Sequence, residues 1–134
     1  MQDFNTKIIE EFRANDGVVG GPFTDMPLLL LGTTGAKSGA ARTNPLAYLE
    51  DGKRLVVIAS YAGAPSSPPW YYNLVANPEV TVEVGADKYQ ARATVVGEPQ
   101  RSDLYAKMAA AMPTFSEYAA KTTRVIPVIT LTRL

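Results

Sequence analysis

Apolar residues recur along this chain with two different periods, and the periods divide it into elements. Near the start, Phe4, Ile8, Ile9 and Phe12 fall at helical spacing, with Asp3, Lys7, Glu10, Glu11 and Arg13 between them. Spacings of three and four gather one apolar stripe on a helix, so a short amphipathic helix is expected over residues 1–16. NDGVVGGPF breaks that pattern and reads as a loop. Leu28, Leu29, Leu30 and Leu31 open a strand over residues 28–34, and a second strand runs over 43–50. EDGK supplies a hairpin turn into a third strand over 53–60, whose LVVIA core fits burial on both faces.

GAPSSPP interrupts the chain, and WYYNLVAN reads as a short helix with prolines before it and Pro78 after it. Val80, Val82 and Val84 then alternate with Thr81 and Glu83. Beyond GAD, Tyr89, Ala91, Ala93 and Val95 alternate with Lys88, Gln90, Arg92 and Thr94. This is the period of an antiparallel hairpin with one buried face. EPQRSDLYAKMAAAM reads as a helix with Leu104, Met108 and Met112 as its stripe; Pro113 interrupts it and TFSEYAAK adds a turn or two. VIPVITLTRL closes the chain as a strand, in which Pro127 points to a sheet edge or a bulge. The pattern thus counts six strands. Their hairpin connections favour an α+β fold, mainly antiparallel, built as a small barrel with a few short helices.

Composition narrows the function. The 134 residues, 46% of them hydrophobic, fit one domain with one core. A formal net charge of +0 argues against steering toward nucleic acid. The chain has no cysteine, which excludes disulfides, thiolate metal sites and cysteine nucleophiles. It has no histidine, which removes the commonest metal ligand and the His-dependent serine triads. The acids are scattered, so no metal site is expected, and an enzyme with this residue set relies on a bound cofactor. The apolar run over 28–31 is too short to span a bilayer, and no signal-peptide pattern opens the chain. A cytoplasmic protein is expected, with peripheral membrane contact through Phe4, Ile8 and Phe12 as the alternative.

One stretch carries candidate chemistry. In TTGAKSGAART, residues 33–43, Gly35 and Gly39 permit close backbone approach, Thr33, Thr34, Ser38 and Thr43 supply hydroxyls, and Lys37 and Arg42 supply positive charge. Such a loop can present N–H groups, hydroxyls and cations to one phosphate. Its spacing is not that of a Walker loop, and no GxGxxG is present. A solvated hairpin loop uses the same residue types.

The sequence LLLLGTTGAKSGAARTNPLAYLEDGKRLVVIAS followed by GAPSSPPWYYNLVANPEVTVEV resembles the deazaflavin-dependent nitroreductase family, F420H2-dependent reductases of actinobacteria. The motifs are G-x-K-S-G-x-x-R-x-x-P-L, P-x-W-Y-x-N-L-x-A-N-P and a C-terminal T-x-R-x-I-P, and the likeness spans nearly the whole chain. It implies a split β-barrel of the FMN-binding type, one domain over 1–134, and coenzyme F420 as the cofactor. The phosphodiester and oligoglutamate tail of F420 would give the loop's cations a target.

The family's phosphate-binding positions fall on Lys37, Ser38 and Arg42. Thr43, Asn44, Pro45, Leu46 and Ala47 fall on the strand along the cofactor. Ile58, Ala59, Ser60 and Tyr61 fall beside the deazaflavin, and Pro69, Trp70, Tyr71, Tyr72 and Asn73 on a third contact segment. Taken singly, Trp70 also fits a core plug, Asn73 a residue that satisfies nearby backbone, and Ser60 a hydroxyl bonded to its own turn. Ile58 and Ala59 fit core positions that meet the cofactor through their backbone.

The implied reaction is hydride transfer from the reduced deazaflavin to a small-molecule acceptor, an activated alkene (an enone or coumarin-type lactone) or a quinone. Ser60 and Tyr118 are the candidate catalytic residues. Tyr61, Met112, Phe115 and Tyr118 are expected to line an apolar substrate pocket. A monomer is expected. Three departures argue against nitro-prodrug activation. Tyr118 alone remains as a phenol in AMPTFSEYAA, Tyr61 stands where a lysine is common, and Ala36 where an arginine is common. Three other readings stay open: an FMN-dependent split-barrel oxidoreductase, a protein that binds or stores F420 without turnover, and a barrel without ligand.

Overall fold

A computed structural model describes residues 2–20, 27–63 and 66–134. Gly21, Pro22 and Phe23 of the first expected loop, Ala64 and Pro65 of the second, and the side chain of Phe4 lie outside the described residues. The elements are α1 (Gln2–Ala14), β1 (Leu28–Thr34), β2 (Ala41–Ala47), β3 (Leu49–Asp51), β4 (Arg54–Ile58), a 3-10 turn (Tyr61–Gly63), α2 (Pro69–Ala76), β5 (Glu79–Val84), β6 (Asp87–Val95), α3 (Gln100–Ala111), α4 (Thr114–Ala120) and β7 (Val128–Arg133).

Every ladder is antiparallel, and the seven strands lie in the order β2-β1-β5-β6-β7-β4-β3. The two outermost strands are consecutive in the chain, separated by Tyr48 alone. A sheet whose two edges belong to one bent segment has to curl, and the result is the small antiparallel barrel that the hairpin pattern implies. The bend divides the single strand expected over 43–50. Its first part pairs with β1, its last part with β4, and the Tyr48 N–H between them donates to the Pro27 carbonyl at 3.2 Å. Alternation does not record which neighbour a strand has, so the sequence counts six strands where the described residues form seven.

The barrel interior holds Leu29 and Leu31 of β1, Val57 and Ala59 at the end of β4, Val80 and Val82 of β5, Ala91 and Ala93 of β6, and Ile129 and Leu131 of β7. Trp70 and Leu74 of α2 plug one end. The same strands also bury their outer faces. Leu28 and Leu30 lie under Ile8 and Phe12 of α1, and Val56, Ile58 and Val128 lie under Leu104, Met108 and Phe115 of α3 and α4. Burial on both faces explains the unbroken apolar runs LLLL and LVVIA. It also corrects one expectation, because Ile8 and Phe12 are core residues and cannot serve a membrane surface.

Pro127 is a second correction. β7 lies between β6 and β4, well inside the sheet, and Pro127 sits just before its first residue, where its carbonyl accepts the Ala59 N–H at 3.0 Å. A missing N–H is tolerated before a ladder begins as well as at an edge. Pro45, by contrast, does lie on an edge strand, β2.

Arg13 of α1 reaches Glu83 of β5 in a two-pronged ion pair, Nη2 to Oε2 at 2.8 Å and Nε to Oε1 at 3.1 Å. The hydrogen bonds from Arg13 hold the Glu83 carboxyl below its ordinary 4.5. A depressed carboxyl contributes stability above its unfolded value and loses it as pH falls through the folded value. Arg13→Met should therefore lower unfolding free energy by ~0.2–1 kcal/mol at pH 7, as partly exposed pairs do. The gap between wild type and variant in urea unfolding should narrow as pH drops below 4.5.

Candidate active site

The bend at Tyr48 leaves a seam. β3 follows β4 only as far as the Leu49–Val56 pair, while β2 has already turned away to β1. Past Val56 the outer edge of β4 and the outer edge of β2 therefore face one opening. Thr43, Asn44, Pro45, Leu46 and Ala47 run along one side of it, all half-buried. Ile58, Ala59, Ser60 and Tyr61 run along the other. Arg42, Asn44 and Leu46 stand opposite Thr33, Leu31 and Leu29 and so share their inward face.

The cation loop closes the β1–β2 hairpin at the end of this seam. The Gly35 N–H donates to Ala40 O at 2.8 Å, the Gly39 N–H to Gly35 O at 2.9 Å, and the Ala40 N–H to Ser38 Oγ at 3.2 Å. Gly39 takes a φ of +69°, which favours glycine. Lys37, Ser38 and Arg42 are exposed. Neither Lys37 nor Arg42 has a carboxylate partner among the described residues; Lys53, Arg92 and Lys121 have none either, but Lys37 and Arg42 stand together on one braced loop, while Arg13, Arg54, Arg101, Lys107 and Arg133 are each paired.

Helix α2 braces this loop. Asn73 Oδ1 accepts the Ala36 N–H at 3.0 Å, and its Nδ2 donates to Thr33 Oγ1 at 3.2 Å. Asn77 Nδ2 donates to Thr34 O at 3.4 Å. Asn73 is thus a backbone-satisfying residue, although the backbone it serves lies far away in sequence. Pro68 caps the helix and Pro69 opens its first turn. Trp70 is buried in the barrel interior, Tyr71 packs against the same cluster, and Tyr72 points outward with its ring edge-on to Tyr71 at 5.3 Å.

The end of β4 forms the far side. Ala59 faces the interior, Ile58 the outer cluster, and Ser60 is buried. Tyr61 has a φ of +48°, unusual for a residue with a side chain, and is about half exposed. Gly63 has a φ of +80°, and a Cβ there would lie 2.8 Å from Tyr118 O, so the turn packs directly on α4. This brings the Tyr118 segment to the end of β4. Tyr118 is half-buried, its ring edge-on to Phe115 at 5.4 Å. Phe115 is buried among Leu104, Met108 and Val128, and Met112 packs against that cluster. Of the four residues expected to line a substrate pocket, Tyr61 is exposed, Tyr118 and Met112 are half-buried, and Phe115 backs them from the core. Tyr105 ties α3 to α4 by donating to Phe115 O at 2.6 Å, and burial pushes its phenol up.

Sequence reasoning gave no role to Arg124. Its Nη2 donates to Ser60 O at 2.7 Å and Ala59 O at 3.2 Å, and its Nη1 to Ser67 Oγ at 3.3 Å. The T-x-R-x-I-P motif contains this arginine, but nothing local reveals acceptors that far upstream.

An antiparallel barrel opened along one seam is the FMN-binding split-barrel fold, and the heme storage protein HutZ of Vibrio cholerae shares it (TM-score 0.63, 15% identity, 97% of this chain and 90% of that one). The likeness to reductases is closer. A solved F420-H2 dependent reductase, FDR-A, superposes with a TM-score of 0.72 at 37% identity, over 78% of this chain and 93% of that one. An F420H(2)-dependent quinone reductase of Mycobacterium tuberculosis is 38% identical over 128 residues, 91% of this chain and 85% of the relative. Residues 6–133 match the model of the F420H(2)-dependent quinone reductases. The chain belongs to the F420H(2)-dependent quinone reductase family, a family of oxidoreductases. It is the reductase family to which the three motifs point, here carrying the name of its quinone reductases.

Asn73→Ala should leave the Ala36 N–H and the Thr33 hydroxyl without their partner. The Ala36 N–H is exposed and can turn to water, so the loss is that of an ordinary hydrogen bond, ~0.5–1.5 kcal/mol. Chemical denaturation should show that loss, and proteolysis within residues 35–40 should accelerate.

Proposed function

We propose that this chain is an F420H2-dependent reductase that passes a hydride to quinones and to other activated alkenes, enones and coumarin-type lactones among them. One observation carries the reading. Lys37 and Arg42 stand exposed at the end of the seam, beside Ser38, on a loop braced by Asn73, with no carboxylate partner among the described residues. An anionic tail needs cations that no protein acid already neutralises, and this loop offers two. The residues present therefore fit F420.

When bound, F420H2 supplies the hydride from C5 of its deazaflavin ring. Lys37, Arg42 and the Ser38 hydroxyl hold the phosphodiester and glutamate tail through charge-assisted hydrogen bonds. Thr43, Asn44, Pro45, Leu46 and Ala47 on one side, and Ile58, Ala59 and Ser60 on the other, form the walls of the ring site. Pro69, Trp70 and Tyr71 close its end and keep water out, and Asn73 acts through the loop it braces. Tyr61, Met112 and Tyr118 bound the acceptor side, with Phe115 packing Tyr118 from behind. In a chain without histidine or cysteine, the proton source is a hydroxyl or water, and Tyr118 is the phenol of the α4 segment whose backbone packs on the turn after β4.

Quenching of the lone tryptophan, Trp70, reports binding. Oxidised F420 should bind, and Lys37→Ala and Arg42→Ala should each weaken it ~10–100-fold, the loss of one hydrogen bond between charged groups. Binding of FMN in its place would favour an FMN-dependent barrel. Tight F420 binding with no turnover on any quinone or enone would favour a storage protein.

Tyr118→Phe should lower the rate of enone reduction by ~100-fold or more, the usual scale of a lost general acid, with F420 affinity unchanged. An unchanged rate removes the phenol from the proton transfer.

A further inference from the structure

We infer that Arg124 is a positioning residue that builds an oxygen-binding subsite from the backbone amides of Ser60 and Tyr61; the inference rests on the function proposed above. The Ala59 N–H donates to Pro127 O, on the side of β4 where β7 lies. In extended chain the N–H and C=O of one residue point to the same side, and the Ala59 carbonyl indeed meets Arg124, which stands just ahead of β7. Across a planar trans peptide the next N–H points the opposite way. The Ser60 amide is therefore turned to the other edge of β4, which faces β2 across the seam. The Ser60 carbonyl also turns to Arg124, so the Tyr61 amide is likewise turned away from the guanidinium.

Neither amide has an acceptor among the described residues. Ser60 is only 7% exposed, and a buried N–H without a partner is rare in a folded chain. The conformation that produces this pair is itself held in place. Tyr61 occupies the left-handed region, which a residue with a side chain keeps only where its surroundings enforce it. Two donors enforce it from behind, Arg124 Nη2 and the Gly63 N–H, both on Ser60 O. Nη1 also ties Arg124 to Ser67, just ahead of α2. A lysine could not serve all three acceptors, because the planar fork of the guanidinium sets their relative positions. Two amides without an acceptor among the described residues suit an oxygen that carries partial or developing negative charge. Such an oxygen could belong to the deazaflavin ring or to the carbonyl of the acceptor.

Amide NMR of Ser60 and Tyr61 in wild type, Arg124→Lys and the milder Ser67→Ala separates these sources. If the ring supplies the oxygen, both wild-type amides shift on adding oxidised F420 alone, and Arg124→Lys weakens F420 binding about tenfold, one hydrogen bond's worth. If the acceptor supplies it, they shift only when a soluble naphthoquinone joins the F420 complex, and kcat falls about tenfold with F420 affinity unchanged. Ser67→Ala should act in the same direction with a smaller effect, which covers the case of an Arg124→Lys protein that does not fold. Wild type that binds F420 with both amides unmoved by F420 and by naphthoquinone overturns the inference, as do folded variants with unchanged affinity and kcat. Wild type that binds no F420 overturns the functional reading and this inference together.

Discussion

The bend at Tyr48 is the constraint on which the rest of this structure depends. Residues 41–51 provide both edges of the sheet, so the barrel closes through one segment rather than through a ladder between two strands. That closure gives the interior its shape, with valine and leucine on the inner faces of β1, β4, β5 and β7 and a helix plugging one end. It also leaves the closure incomplete. Past the Leu49–Val56 pair the outer edge of β4 has no ladder partner, and the outer edge of β2 has none either. An unpaired edge is ordinarily a liability because it invites another chain. Here β2 carries Pro45, which removes one donor from that edge, and the seam is the opening along which the candidate cofactor residues are arrayed.

Apolar packing and polar contacts divide the work of building the site. Packing places the sheet. Leu28 and Leu30 under α1, and Val56 and Ile58 under α3 and α4, hold the barrel from outside. Burying side chains of this size contributes ~1.5–3 kcal/mol each. Such contacts are not directional and do not orient a loop. Orientation comes from three polar side chains. Asn73 and Asn77 hold α2 to the cation loop, and Arg124 holds the end of β4 to the chain ahead of α2. Helix α2 is therefore tied to both ends of the seam, which gives the two halves of the site a common reference.

The residue set shapes the chemistry as much as the fold does. A chain without histidine or cysteine brings no imidazole and no thiolate to a reaction. Membership in an F420H(2)-dependent family supplies the missing redox chemistry through a cofactor. What remains for the protein is binding charge, shaping a dry slot and aiming hydrogen-bond donors. Cations without a carboxylate partner among the described residues, half-buried strand residues and backbone amides beyond β4 are suited to those tasks.

The helix over 1–16, the strand over 28–34, the β5–β6 hairpin and the helices around Trp70 and Leu104 were all legible in the chain, because period and turn residues act within a few positions. The lysine and arginine of the hairpin loop were legible for the same reason, and three motifs together carried the family. The division of β2 from β3, the interior place of β7 behind Pro127 and the roles of Asn73 and Arg124 were not legible. Asn73 serves an N–H 37 positions away, and Arg124 serves carbonyls 64 and 65 positions away. A local pattern reports which face of a strand is apolar, but not which strand lies beside it or which distant carbonyl a guanidinium will reach. Those were decided only when the bent strand closed the barrel.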